Sequence, residues 1–341
     1  MISKVIGSST YNLPGSLNSF QLDLYVHLIN WKWKYISQEV GYHTYKGEKI
    51  AYDAILPERY KSSMEILYFS IRKRLKEHIE KYPFRIHTHF NHMASSQAAN
   101  INLFLPILTN ENADEILRTL KTDFKTLAVD HLDRGFQIEF CDEPFNSLGD
   151  KTAMSGTDSD IAIAYFNKQD ELCLWLIEHK LTEAEFTQCG GTKSKNRDKG
   201  KHLCEKSFSD LLVNKNYCYY HDVRKLNYWN ITENNKTFFS NHKSFHECPF
   251  KGGSNQLWRN QLLGLSIEKD HRQPYEHVYF SVVKHPRNTY LDKSIAEYKT
   301  LVGNTKKFTV LESSDIIEAA NNTDDRKLRK WISWYKQLYY L

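Results

Sequence analysis

Residues 172–183 read LCLWLIEHKLTE, an apolar run that ends in Glu178, His179 and Lys180. In an extended strand alternate side chains share a face, so Glu178 and Lys180 point the same way as Leu172, Leu174 and Leu176, and His179 points opposite. Asp160 opens a second strand-like run, DIAIAYF, after the turn-forming GTDSD. A hairpin joining the two runs brings Asp160 beside Glu178, so two carboxylates and an ammonium group meet where a core ends and a cleft begins. Two hard oxygen donors suit Mg²⁺ or Mn²⁺, which keeps several waters and needs only one or two carboxylates plus a substrate phosphate. Such an ion polarises a phosphoryl oxygen and acidifies water, while Lys180 orients that water or neutralises developing charge. The chemistry implied is phosphodiester hydrolysis with Asp160 and Glu178 as metal ligands. His179 contributes at most its backbone carbonyl to the ion.

The elements that must hold this set can be read along the chain. Residues 20–35 and 57–83 have helical spacing, the second framed by Pro57 and Pro83, so residues 1–90 read as a helical N-terminal region. The second segment carries Lys61, Arg72, Lys73, Arg74, Lys76 and Lys81, which form either a phosphate-facing surface or an ordinary solvated face. SSQAANINLFLPI predicts a helix capped by Ser95 or Ser96 and ended by Pro106, and ADEILRTLKTDFKTL predicts another. GFQIEFC (135–141), DIAIAYF (160–166) and ELCLWLIEHK (171–180) then read as strands. Residues 187–254 form a loop-rich insertion, NQLWRNQLLGLSIEKD (255–270) resumes as a helix, and YEHVYFSVVKH (275–285) is one more strand. Residues 301–341 read as a helical tail. The fold class is α/β, with a central mixed sheet in an αβββαβ core formed by residues 91–186 and 255–300.

This order, with Asp160 followed by Glu178-x-Lys180, resembles the PD-(D/E)xK nuclease superfamily. SSQAANINLF, GTDSDIAI, IEHKLTEAEF and CPFKGGSNQLWRNQLL together look like a bacterial restriction-endonuclease-like family within it. The resemblance covers about two hundred residues and implies a divalent-metal-dependent endonuclease acting on DNA in restriction or defence. It also implies that Gln256, on the helix after the catalytic strands, lies near the metal or phosphate. RecB-like members carry a Tyr four residues further on, where this chain has Asn260. Some members have an acidic ligand in the first helix; here that helix offers Ser96, Gln97 and Asn100, and Glu139 on the first strand is the substitute. Glu183, Arg259 and Gln97 are candidates for supporting or phosphate contacts, Arg259 sharing a helix face with Gln256. Two further acid-x-Lys triplets, Asp123-Phe-Lys125 and Glu297-Tyr-Lys299, lie in helical patterns and are set aside.

Cys189, Cys204, Cys218 and Cys248 fall within the insertion, with 14, 13 and 29 residues between them. Four cysteines in a segment too polar for its own core predict a metal staple, either Zn²⁺ or an iron–sulfur cluster. Cys141 and Cys173 read as core. His87, His89 and His92 read as a turn leading into the helix at 95. The net charge of +5, from 46 basic and 41 acidic residues, is too mild to imply nucleic-acid binding by itself. No apolar run is long enough to span a bilayer, so the expectation is a cytoplasmic protein with no membrane partner. Cutting both strands of a duplex favours a homodimer. The alternative reading is a module on a nuclease scaffold that binds nucleic acid without cutting it.

Overall fold

The computed structural model describes residues 2–151 and 156–341. Two hairpins, β1–β2 (Ile2–Ile6, Ser9–Leu13) and β3–β4 (Gly41–Tyr45, Glu48–Tyr52), flank helix α1 (Ser19–Tyr35), with α2 (Arg59–Ser63) and α3 (Arg72–Lys81) next. The chain continues through α4 (Ser96–Leu108), α5 (Ala113–Leu120), β5 (Phe124–Leu127), β6 (Phe136–Phe140), β7 (Ser159–Asn167) and β8 (Leu172–Lys180). Short helices α6 (Phe208–Val213), α7 (Tyr219–Asp222) and α8 (Tyr228–Asn234) precede α9 (Ser254–Lys269) and β9 (His277–Lys284). After these come α10 (Asp292–Val302), β10 (Phe308–Glu312), α11 (Ser313–Asn321) and α12 (Arg326–Tyr339).

One six-stranded mixed sheet runs β10-β9-β8-β7-β5, with β6 also paired to β7. β8 is parallel to β9 and antiparallel to β7, so it is central and all nine of its residues are buried. Its alternate residues serve two different cores. Cys173, Trp175 and Ile177 pack with α4, α5, α11 and α12 on one face, and Leu172, Leu174 and Leu176 pack with α9 and α10 on the other. This is the mixed α/β core expected, with α4, β6, β7, β8, α9 and β9 as its αβββαβ succession.

The periphery departs from expectation in several places. Residues 2–52 hold two hairpins as well as the expected helix, and the helix expected over 57–83 is broken where Met64 turns left-handed (φ 54°). FKTL is strand β5 rather than the end of a helix, so Asp123 precedes a strand; its carboxylate receives the Tyr165 hydroxyl at 2.9 Å, at the end of β7 remote from Asp160. The tail, expected to be helical, contributes edge strand β10. Pro106 lies inside α4 instead of ending it. Its missing N–H would have served the Asn102 carbonyl, which accepts the Trp331 indole N–H at 2.8 Å instead. The insertion is also less polar in effect than its composition implies, since Phe208, Trp229, Phe239 and Phe250 join the α9 core and Phe250 stacks on Trp258 at 4.0 Å.

Candidate active site

The β7–β8 hairpin pairs Ile161 with Ile177, and there the regular pairing stops. The Ser159 hydroxyl takes over both backbone partners of Ile177, bonding its N–H and its C=O at 2.9 Å. The strands part at that point, and the freed His179 N–H donates to Asp160 Oδ2 at 2.6 Å. Asp160 is further fixed by Asn100 of α4, whose amide donates to its carbonyl at 3.0 Å. One hydroxyl therefore turns a ladder into a carboxylate socket.

Glu178 lies across the gap, 5% exposed, and every contact to its carboxylate is made by a defined partner. Lys180 Nζ stands 2.9 Å from Oε1, Gln256 donates to Oε1 at 2.8 Å, and Asn260 donates to Oε2 at 2.7 Å. Gln256 and Asn260 are one helical turn apart on α9 and so share the face turned to β8. Gly264, two turns on, lets that helix approach: a Cβ there would meet Val278 at 3.1 Å and Leu176 at 3.6 Å.

A third carboxylate comes from β6. Glu139 has a left-handed backbone (φ 52°), a conformation that costs a non-glycine residue of order 1 kcal/mol and re-aims its side chain out of the strand's alternation. Gln97 of α4 donates to Glu139 Oε1 at 2.9 Å. Asp158, in the loop before β7, is the fourth acid. Burial and the charge of Asp158 push the Glu139 carboxyl up to about 8. Burial, then Glu178 and Glu139, raise Asp160 well above the usual carboxylate range, and enclosure followed by Glu178 raises Asp158. In all three burial is the larger cause, and charge on the neighbouring acids adds to it. Burial alone would lower the Lys180 ammonium, but Glu178, Glu183 and Asp160 carry it above the ordinary lysine range. Lys180 is thus a fixed cation.

A cavity of about 1010 Å³ opens on these acids, lined on one side by Glu139, Asp158 and Asp160. The N-terminal region, whose role the sequence left undefined, supplies the opposite wall through Tyr25, His43, Tyr52 and His87. The Gln21 amide ties α1 to the Thr182 carbonyl at 2.8 Å and so closes the two walls onto each other.

The structure gathers Asp160, Glu178, Lys180, Gln256, Gln97 and Glu139, but treats other candidates differently. Glu183 accepts the N–H groups of Leu181 and Thr182 at 2.9 and 3.0 Å, fixing the turn after β8 at the cavity rim. Arg259 is spent on the loop before β7, bonding Thr157 Oγ1 and the Gly156 carbonyl at 3.0 Å each. The His179 side chain packs on the far face, as the alternation predicts; burial lowers it to about 4, and its two ring nitrogens have no partner among the described residues. Of the basic residues on α3, Arg74 and Lys81 are turned to the buried Asp133 and Arg72 to the Glu65 carboxylate, so they do not form a free phosphate surface. His87 and His92 accept the N–H groups of His89 and Ala94, which makes that run the turn it was read as. Sequence reasoning noted Asn260 only as a departure from one branch. Its spacing of four from Gln256 was the available signal for a second amide on Glu178. Among the described residues no three His, Cys, Asp or Glu side chains already stand in a ready ligating arrangement.

A mixed sheet whose parted strands gather acids and a lysine over a cavity defines an α/β core of the restriction-endonuclease-like kind. The chain belongs to the family of restriction endonucleases associating with ARP, whose model matches residues 31–340. That span reaches well beyond the segments that carried the sequence resemblance, taking in much of the N-terminal wall of the cavity and the C-terminal helices. No curated protein and no solved structure matches it significantly. No helix among the described residues is long and apolar enough to cross a membrane.

Proposed function

We propose that the protein is a divalent-metal-dependent endonuclease of the PD-(D/E)xK type that hydrolyses DNA phosphodiester bonds, in keeping with its restriction-endonuclease family. The observation that carries this is a cavity large enough for a nucleotide segment, lined by Asp160 and Glu139, with Asp160 held by the backbone N–H of His179 between the paired Glu178 and Lys180. The donor set fits a hard cation: the oxygens of Asp160, Glu178 and Glu139 are hard donors, and a dication would offset the burial and mutual repulsion that raise Asp160 and Glu139. Asp160 and Glu178 would hold Mg²⁺ or Mn²⁺, with Glu139 and the His179 carbonyl alongside. The ion would supply Lewis acidity toward a phosphoryl oxygen and an acidified water.

The chain's own residues do the rest. Gln256 and Asn260 hold both Glu178 oxygens in one rotamer, so the carboxylate does not reorganise during turnover. Lys180, paired to Glu178, acts as a charge facing the phosphoryl oxygens and an orienting donor to the attacking water. Water attacks phosphorus in line and the P–O3′ bond breaks, leaving a 5′-phosphate and a 3′-hydroxyl. Duplex cleavage by one site per chain favours a homodimer.

The test is incubation of supercoiled plasmid and of methylated phage DNA with the full chain in Mg²⁺, Mn²⁺ or EDTA, beside Glu178→Ala. Cuts that need the metal, carry 5′-phosphates and vanish in the variant are expected. Equal cutting by Glu178→Ala would remove the site assignment, and salt-sensitive binding without any cutting would favour a binding module.

A further inference from the structure

The segment between β8 and α9 holds four free cysteines that the active site does not use. They are far apart in sequence, yet the backbone stitches them together. The Cys248 N–H donates to the Cys204 carbonyl at 3.3 Å, the Cys189 N–H to the Lys251 carbonyl at 3.4 Å, and the Lys251 N–H back to the Cys248 carbonyl at 3.4 Å. The Leu203 N–H reaches the Tyr217 carbonyl at 3.0 Å, which joins the stretches ending at Cys204 and Cys218. Cys248 accordingly lies within electrostatic reach of all three other cysteines.

The packing around these cysteines is close. A Cβ on Gly191 would meet Cys189 Sγ at 3.4 Å and the ring of Tyr219, the residue after Cys218, at 3.3 Å, so the stretches around Cys189 and Cys218 lie against each other. The Trp229 indole nearby is fully buried.

We infer that Cys189, Cys204, Cys218 and Cys248 bind one Zn²⁺ as a closed tetrathiolate structural site. Four soft donors and no oxygen ligand select zinc over the hard ions of the acid cluster, and four protein ligands leave no position open for catalysis. A single ion is favoured over an iron–sulfur cube because the Cys204 and Cys248 backbones are bonded directly to each other, which draws their sulfurs toward one centre. The ligating arrangement is completed by rotation of the cysteine side chains on these converging backbones. The site also steadies α9 from outside: Thr187, two residues before Cys189, donates to Gln256 Oε1 at 3.0 Å, and Phe250, two after Cys248, stacks on Trp258.

The test is elemental analysis of the full chain, purified without immobilised metal and passed through a chelator column. About one zinc per chain is expected, released on titrating the thiols with an organomercurial. Co²⁺ in its place should give intense visible ligand-field bands with thiolate charge transfer in the near ultraviolet. Cys218→Ser and Cys248→Ser should lose most of the zinc; Cys141→Ser, Cys173→Ser and Glu178→Ala should keep it, which separates this site from the acidic one. Folded wild-type chain without zinc, zinc retained by both Cys→Ser variants, or iron with acid-labile sulfide would each overturn the inference. The wild-type measurement decides even where a variant does not fold.

Discussion

The two ligand clusters of this protein are built on opposite plans. The acid cluster sits on strands and helices whose positions are fixed by a two-sided core, and it opens onto a cavity. The cysteine cluster sits on loops held by backbone bonds to one another, and it is wrapped in aromatic rings. On the function proposed above, the first scaffold holds charge against repulsion so that an ion and a phosphate can come and go. On the further inference, the second would take the ion itself as part of the scaffold. A functional centre therefore accepts electrostatic cost on rigid elements, and a structural centre relieves disorder where regular elements are few.

The sharpest separation comes from Asp160→Asn and Glu178→Ala. Each should reduce metal-dependent cleavage by about a thousandfold or more. Asp160→Asn removes a carboxylate crowded by other acids and should leave the melting temperature unchanged or higher, whereas Glu178→Ala should lower it, because Lys180 and the Gln256 and Asn260 amides lose their partner. Plasmid nicking rates and a thermal melt check both halves; a large loss of stability in Asp160→Asn would mean that this acid holds the fold together. Cys218→Ser or Cys248→Ser should behave inversely. Loss of the structural ion is expected to lower the melting temperature by roughly 5–15 °C, at about 2–4 °C per kcal/mol for a chain of this class. Cleavage per folded molecule should fall far less than in the acid variants.

Asn260→Ala should lie between the two. It deprives a buried carboxylate oxygen of its donor, a change of about 1.5–3 kcal/mol, so cleavage should drop on the order of tenfold or more, with rescue by Asn260→Gln only where the longer amide reaches. A separate effect concerns pH. The Glu139 carboxyl is raised from its ordinary 4.5 to about 8, so the folded state binds a proton that the unfolded state releases. Stability in EDTA should then be highest below the ordinary carboxylate range and decline as pH rises toward 8, and Glu139→Gln should flatten the slope. Urea midpoints across that range measure it; with saturating Mg²⁺ the slope should vanish or reverse.

What could be read from the sequence follows from the range of the forces involved. β7, β8 and α9 were legible because burial on both faces imposes long apolar runs, and the acid, acid, lysine order follows from strand alternation and one hairpin. β5 and β10 were not, being four and five residues long beside helical patterns. The hairpin β1–β2 is hidden for another reason: β1 is exposed along nearly its whole length and has no apolar alternation to reveal it. Pro106 misled because the donor that rescues the Asn102 carbonyl lies 229 residues away. Asn260 was visible as a residue but not as a partner, since an amide declares its role only once the carboxylate opposite is placed. The raised acids, likewise, depend on the left-handed backbone of Glu139, which no neighbouring residue signals.

The bond from Trp331 to Asn102 reaches further than the helix it repairs. Asn102 also donates to the Tyr339 hydroxyl at 3.0 Å, and the Tyr339 carbonyl pairs with His285 Nε2 at 2.9 Å. Helix α4, which carries Gln97 and Asn100 to the acids, is therefore completed by residues made more than two hundred positions later. During synthesis the ribosome releases β7, β8 and α9 before the segment that seats α4 has left the exit tunnel. The contacts that seat α4 therefore form only after β7, β8 and α9 are already free of the ribosome.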